Sequence, residues 1–192
     1  MIKDKITPEI KDKFRQAINL TIKTGKEHAF IMCRDDKEGL FPRSICEGRE
    51  CIVTMEPPES CLPFRAQGNF HTHADVAIAR RVFKDTEGRL PRKIMTDYIE
   101  DVAYHEGVDI TTPSHGDLIN ALINKCLRRT EGTVCVGSDA VSDRADCYTA
   151  NNKITKDDCY RAKMLKIFTR TEESGLPKPW IKPLFDKEII NL

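Results

Sequence analysis

The first apolar pattern along the chain has the spacing of an α-helix. Its apolar positions recur every three or four residues and are Ile10, Phe14, Ala17, Ile18 and Ile22. Thr7 followed by Pro8 is typical of a helix start, because the threonine hydroxyl can cap the first turn and proline fits the first helical position. Gly25 favours the left-handed backbone that ends a helix. A helix is therefore predicted between Thr7 and Gly25, with one face buried.

Shorter apolar runs, bounded by Gly, Pro and charged residues, are typical of strands. They predict strands over residues 27–33, 51–55, 66–73, 133–138 and 145–149. Helical spacing returns over 92–105, in a segment that begins at 113–117, and over 155–169. The chain therefore alternates between helices and strands.

Length and charge restrict the class of protein. The chain has 192 residues, with 31 Lys and Arg against 30 Asp and Glu, and a net charge of +1. This balance favours neither a nucleic-acid-binding protein nor a disordered acidic one. The N-terminus lacks the apolar core of a signal peptide, and no stretch approaches the ~18 apolar residues of a membrane span. We expect a cytoplasmic protein that does not contact a membrane.

The expected organisation is one domain over residues 1–170, followed by a tail over 171–192. The tail holds three of the prolines and the single tryptophan, Trp180. We expect it to be extended and to pack on the domain through Trp180. A flexible linker or a tail that docks a partner is the alternative.

The chain is rich in cysteine, with eight residues and no Cys-x-x-Cys pair. Buried thiols, which pack as small apolar side chains, are the favoured interpretation. Disulfides are the second possibility and would be normal in a hyperthermophile but unusual in a mesophile cytosol. A structural zinc site is the third.

Two histidines one residue apart, His71 and His73, carry the first chemical signal. In a strand, side chains two positions apart project from the same face, so the two imidazoles can hold one metal ion. A catalytic zinc takes three protein ligands and leaves a fourth position for water. Asp117, at the start of a predicted helix, is the best third ligand. Taken alone, Ser114 and Asp117 would be interpreted as a helix-capping pair.

The segments 68–73 (Gly-Asn-Phe-His-Thr-His) and 113–118 (Pro-Ser-His-Gly-Asp-Leu) together resemble a known signature. It is the His-Ser/Thr-His-Pro and Pro-Ser-x-x-Asp-Leu pattern of the JAMM (MPN+) zinc metallopeptidases. Glu27, which opens an apolar strand after the first helix, matches the glutamate that this family requires upstream. The resemblance covers residues from about 8 to 150 and implies an α/β, cytidine-deaminase-like MPN fold, a curved mixed sheet flanked by helices.

The resemblance also implies a role for each residue of the motifs. His71, His73 and Asp117 would ligate one zinc ion per chain. Glu27 would act as general base for the activated water and then protonate the leaving amine. Ser114 would donate a hydrogen bond to the oxyanion. The substrate would be a peptide or isopeptide bond after the C-terminus of a ubiquitin-like or sulfur-carrier protein, whose extended tail could add as a strand.

The chain departs from the family pattern at two places. Ala74 stands where the family usually has proline, and residues 74–116 separate His73 from Asp117, much farther than is typical. An insertion over 74–112 is therefore predicted beside the active site, as a lid, a substrate-binding element or a plug. The added length costs little loop-closure entropy if both ends of the insertion return to the same place. His105 and His115 could contact the site or be plain polar residues.

Three alternatives remain. A non-catalytic MPN domain would serve as a scaffold or protein-interaction module. A PHP or amidohydrolase-type hydrolase would hold two or three metals and would need more downstream histidines than His105 and His115. A RadC-like, nucleic-acid-associated protein shares the motif but is not favoured by the net charge.

Overall fold

The computed structural model describes most of the predicted elements. The described residues are 1–37, 39–48, 56–73, 111–139, 141–168 and 177–192. The predicted strand 51–55, the predicted helix 92–105, His105 and all but the last residues of the predicted insertion lie outside them.

Seven strands in the described residues form one mixed sheet. They are β1 (His28–Asp35), β2 (Gly39–Pro42), β3 (Cys46–Glu47), β4 (Arg65–His73), β5 (Thr130–Ser138), β6 (Arg144–Ala150) and β7 (Phe185–Asn191). Their order across the sheet is β2-β1-β4-β5-β6-β7, and β3 pairs with β1 beside β2. Strands β4 and β5 are parallel and every other described pair is antiparallel.

Helices cover both faces of this sheet. They are α1 (Pro8–Thr24), α2 (His115–Cys126) and α3 (Lys156–Phe168), with short 3-10 turns at Lys3–Lys5, Pro58–Cys61 and Lys182–Leu184. On the α1 face, the rings of Phe14 and Phe70 stack with centroids 4.3 Å apart. On the other face, Leu118 and Leu122 of α2 join a core with Val134 of β5. The architecture is therefore mixed α/β, as the sequence predicts.

Helix α1 begins and ends where the sequence predicts. The Thr7 hydroxyl accepts a hydrogen bond from the amide of Ile10, Pro8 opens the first turn, and Gly25 ends the helix with φ of 67°. The predicted apolar face is buried except for Ile22, which is 46% exposed. That position lies in the last turn of the helix.

Six of the seven cysteines that the structure describes are paired, so the expectation of buried thiols is wrong for them. The disulfides are Cys33–Cys61, Cys126–Cys159 and Cys135–Cys147, and Cys46 is free. Each pair joins different elements. Cys135 and Cys147, for example, lie directly opposite each other on β5 and β6. These pairings follow from tertiary contacts that residue spacing does not show.

The C-terminal segment contributes to the main sheet. Strand β7 pairs antiparallel with β6 along its whole length. Trp180 packs against the core between α2 and α3, with the Arg161 guanidinium 4.3 Å from its ring centroid. The sequence pattern does not predict that this segment pairs with β6. No helix among the described residues has both the length and the apolar character needed to cross a membrane.

Candidate metal centre

Strand β4 directs its two motif histidines toward the α2 face of the sheet. Thr72, between them, projects to the opposite face, where its hydroxyl accepts from the His28 amide at 2.8 Å and lies 2.5 Å from the Thr21 hydroxyl of α1. Burial lowers the pKa of His28, which favours its neutral imidazole. Because side chains alternate along a strand, fixing Thr72 toward α1 sets His71 and His73 toward α2.

Helix α2 supplies the third member of the group. Its first turn is closed by a capping box, in which the Ser114 hydroxyl accepts from the Asp117 amide at 3.2 Å. In return, the amide and hydroxyl of Ser114 donate to Oδ2 of Asp117 at 2.8 and 2.7 Å. Capping therefore holds the Asp117 carboxylate in one orientation at the start of the helix.

The nitrogen and oxygen atoms of His71, His73 and Asp117 converge. Nε2 of His71 lies 3.2 Å from Nε2 of His73 and 3.4 Å from Oδ2 of Asp117, and the three ligand atoms all lie within 4.8 Å of one another. Zinc bonds of about 2.0–2.2 Å in tetrahedral geometry place two ligand atoms about 3.4 Å apart. Two of the three separations, both measured from His71, are close to that value, and the three side chains are of the types that bind zinc. We call these three residues the candidate metal centre.

The centre is enclosed and electrostatically coupled. His71 and His73 are buried, and the Asp117 side chain is 30% exposed. Burial alone would raise the pKa of Asp117. The electrostatic influence of the neighbouring His71 and His73, with hydrogen bonds from His71 and Ser114, outweighs burial and holds the pKa of Asp117 well below its usual range. Asp117 is therefore ionised at neutral pH and available as a ligand.

The chain contains a second capping box of the same kind. It serves as a comparison, because its aspartate caps a helix with no histidine nearby in the described ranges. At the start of α3, Oδ2 of Asp158 accepts from the Thr155 hydroxyl at 2.7 Å and from its amide at 2.9 Å. These bonds lower the pKa of Asp158, and no histidine contributes. Among the described residues, only His71, His73 and Asp117 form a group of three potential metal ligands. The neighbouring histidines distinguish Asp117 from an ordinary cap.

Glu27 lies at the entrance to β1, the strand next to the one that carries the histidines. It is 5% exposed and immediately precedes β1. Ala29 pairs with His71, and continuing this antiparallel register by two residues sets Glu27 opposite His73. Residues directly opposite on neighbouring strands project to the same face. The Glu27 side chain is thus on the face of the candidate metal centre, and its carboxylate is not one of the three clustered ligands.

A buried aspartate anchors the segment that leads into α2. Asp146 is fully buried on β6, and its Oδ2 accepts from the Thr111 hydroxyl and from Lys187 Nζ, each at 2.7 Å. Asp146 lies opposite Val136, which in turn lies beside His71, so the three residues form one row across the sheet. The sequence interpretation does not include this contact. Its only signal is a single charge between the apolar neighbours of a predicted strand.

His115, the one histidine of the second motif, faces away from the candidate metal centre. His115 is buried, and its Nδ1 accepts from the Lys178 amide at 3.3 Å. Its ring centroid lies 6.2 Å from that of Trp180, in an edge-on arrangement. His115 therefore joins α2 to the C-terminal segment.

The structure thus brings His71, His73 and Asp117 together, bonds Ser114 to Asp117 and sets Glu27 on the same face. The chain matches no known protein-family model and no curated protein. A functional assignment therefore depends on these residues and their geometry.

Proposed function

We propose that this protein is a zinc-dependent peptidase or isopeptidase of the JAMM (MPN+) type, with an MPN fold. Its substrate would be the bond that follows the C-terminus of a ubiquitin-like or sulfur-carrier protein. The observation that carries the proposal is the set of ligand-atom separations from His71, 3.2 and 3.4 Å, which suits one tetrahedral zinc ion. A helix cap alone does not require two histidines beside it.

In this proposal, His71, His73 and Asp117 hold the metal. When bound, zinc would supply Lewis-acid chemistry and lower the pKa of a water molecule toward ~7. Asp117 offers a carboxylate that is already ionised and fixed by two hydrogen bonds from Ser114. Rigid ligands reduce the reorganisation needed when the metal binds.

Glu27 is the proposed general base. Its carboxylate would accept a proton from the attacking water and transfer that proton to the leaving amine. Its burial and its position opposite His73 suit this role. The main chain is held there by the Gly48 amide, which donates to the Glu27 carbonyl at 2.8 Å.

Ser114 is the proposed oxyanion donor, and its present bonding restricts how it would act. A serine hydroxyl carries one proton, and here that proton is donated to Asp117. Donation to a substrate oxygen therefore requires the hydroxyl to rotate, while the amide of Asp117 continues to donate to its oxygen. Such a donor typically raises the rate about 10²–10³-fold.

A cytoplasmic location also remains a proposal. Three disulfides in a cytoplasmic protein would be typical of a hyperthermophile, and an oxidising compartment is the alternative.

The Glu27→Gln variant tests the proposed chemistry. We expect it to keep its zinc. The rate at which it cleaves linear and branched ubiquitin-like fusions should fall about 10²–10⁴-fold. The control is Glu47→Gln, which changes a half-exposed glutamate of β3 that pairs with Lys26 and should leave the rate unchanged. Gel-based cleavage rates and zinc content are measured for both variants. Undiminished cleavage by Glu27→Gln would exclude it as the base.

A non-catalytic MPN scaffold is the second candidate. The observation that favours it is that the Ser114 proton is already donated within the capping box. A wild-type protein that binds one zinc yet cleaves none of the linear or branched fusions would support the scaffold.

A further inference from the structure

A large cavity lies at the far end of β4 from the candidate metal centre. Its volume is about 700 Å³, and it opens between the start of β4 and the C-terminal end of α2. Its lining includes four cationic side chains, Arg65, Lys125, Arg128 and Arg129. We call it the basic cavity.

Most of the positive charge in the basic cavity is uncompensated. Lys125 pairs with Glu131 at 3.2 Å. By contrast, Arg65, Arg128 and Arg129 are exposed and form no ion pair within the part of the chain that the structure describes. Guanidinium groups bind carboxylates through paired, charge-assisted hydrogen bonds. The cavity is thus suited to an acidic ligand.

One wall of the cavity is apolar. Leu62 is 69% exposed and Phe64 is 40% exposed, and both line the cavity. The Phe64 ring is held edge-on against Phe41, with centroids 5.1 Å apart. A ligand that matches this surface carries an apolar side chain as well as carboxylates. Four cations against two anions, Glu59 and Glu131, leave a net charge of +2 on the lining, and the apolar wall favours an acidic peptide over a phosphate backbone, which has no apolar side chain.

A smaller cavity lies beside the basic cavity, farther along β4. Its volume is about 70 Å³, and it shares Pro58 and Thr130 with the basic cavity. Asn69 lines it, two residues before His71 and on the same face of β4. Oδ1 of Asn69 is buried and has no hydrogen-bond partner among the described residues. A hydrogen-bond donor that enters this cavity would satisfy this acceptor.

The spacing suits a peptide that spans both places. Arg65 and His71 are six residues apart on one strand, a separation of about 20 Å at ~3.3 Å per residue. An extended peptide of about six residues covers the same distance.

We propose that the basic cavity binds an acidic segment of the protein substrate that also carries an apolar side chain. The substrate chain then passes Asn69 on its way to the candidate metal centre. This inference rests on the proposed peptidase function for the identity of the ligand. The binding itself requires no zinc, so it is tested separately.

The binding test uses the full chain stripped of metal with EDTA. The probe is a fluorescein-labelled peptide of glutamates with one leucine and one phenylalanine, and fluorescence anisotropy gives its affinity. The double variant Arg65→Glu and Arg129→Glu should bind the probe at least about tenfold more weakly. The control, Lys23→Glu with Lys163→Glu, makes the same charge change at exposed positions of α1 and α3 and should bind like wild type.

Three outcomes would overturn the proposal: no binding of the probe by wild type, equal losses in both double variants, or tighter binding of a DNA oligonucleotide than of the probe. With zinc restored, cleavage of a fusion that bears an acidic segment gives a second readout. The Arg65 and Arg129 double variant should raise KM at least about tenfold and leave kcat unchanged. If the probe binds but no fusion is cleaved, the peptidase function fails and the acidic binding site stands.

Discussion

Asp117 places its Oδ2 3.4 Å from Nε2 of His71, although the two residues belong to different layers of the molecule. His71 projects from β4 toward α2, and Asp117 opens α2 with its carboxylate held by Ser114. Two local devices, strand alternation and a helix cap, therefore bring an imidazole and a carboxylate together.

Replacing Asp117 with asparagine should remove most zinc affinity and little stability. The amide of residue 117 still donates to the Ser114 hydroxyl, so the loss of capping should cost at most about 1 kcal/mol. The neutral amide is a poor zinc ligand. Urea unfolding of the metal-free protein and zinc competition with a chelator measure the two effects.

Asp158→Asn is the matched control, because Asp158 makes the same bonds to Thr155 at the start of α3. It should show a similar small loss of stability and unchanged zinc affinity. Both carboxylates have lowered pKa values. Each contributes stability that is present above its unfolded pKa and lost as pH falls through its folded pKa. Equal zinc affinity in Asp117→Asn and Asp158→Asn would show that Asp117 only caps.

The bond between Thr111 and Asp146 should matter for zinc as well as for stability. Thr111→Val removes the hydroxyl that donates to the buried Asp146 carboxylate at 2.7 Å and leaves that acceptor short of a partner. We expect a loss of about 1–3 kcal/mol in unfolding free energy. Because Thr111 lies three residues before Ser114, we also expect severalfold weaker zinc binding.

The control for this variant is Thr149→Val, whose hydroxyl lies 3.1 Å from that of Thr133 on the sheet. It should lower stability without changing zinc affinity. Zinc binding that falls only in proportion to stability in both variants would contradict a positioning role for the Thr111 contact.

Gly68, in the histidine motif, should not tolerate a side chain. A Cβ at this position would lie 1.9 Å from the carbonyl oxygen of Thr133 on the neighbouring strand. Gly68→Ala should therefore separate β4 from β5 and destabilise the protein by several kcal/mol, on the order of severe core overpacking or more. Thermal unfolding measures this loss.

Gly25→Ala provides the comparison. Gly25 has φ of 67°, but a Cβ there meets nothing within 4 Å, so only backbone strain of roughly 1–2 kcal/mol is expected. A Gly68→Ala protein as stable as Gly25→Ala would show that β4 and β5 can separate without loss.

The sequence predicts the local features of this fold better than the contacts between distant segments. The Thr7 cap, the Gly25 stop and the alternation of His71 and His73 are local, and short-range patterns predict them. The pairing of β7 with β6 and the contact of Asp146 with Thr111 join distant segments, and no short-range pattern specifies them. The same limit applies to the disulfides, since any cysteine could pair with any other until the strands are placed.

The same contrast between local and long-range features holds for the candidate metal centre. Ser114 and Asp117 were recognisable as a capping pair from spacing alone, and the structure contains that cap. Their approach to the histidines depends on where α2 packs on the sheet. Glu27 is the extreme case, because only the family resemblance singles it out in the sequence, and its place beside the histidines depends on the pairing of β1 with β4.

Zinc content per chain tests the central claim most directly. The protein is purified without added chelator, dialysed against buffer with trace zinc, and measured by inductively coupled plasma mass spectrometry. His73→Ala removes one ligand of the candidate metal centre, and His28→Asn removes an imidazole on the α1 face of the sheet as a control. We predict one zinc per chain in the wild type and in His28→Asn, and close to none in His73→Ala. No zinc in the wild type, two or three metals per chain, or undiminished zinc in His73→Ala would contradict the proposed site.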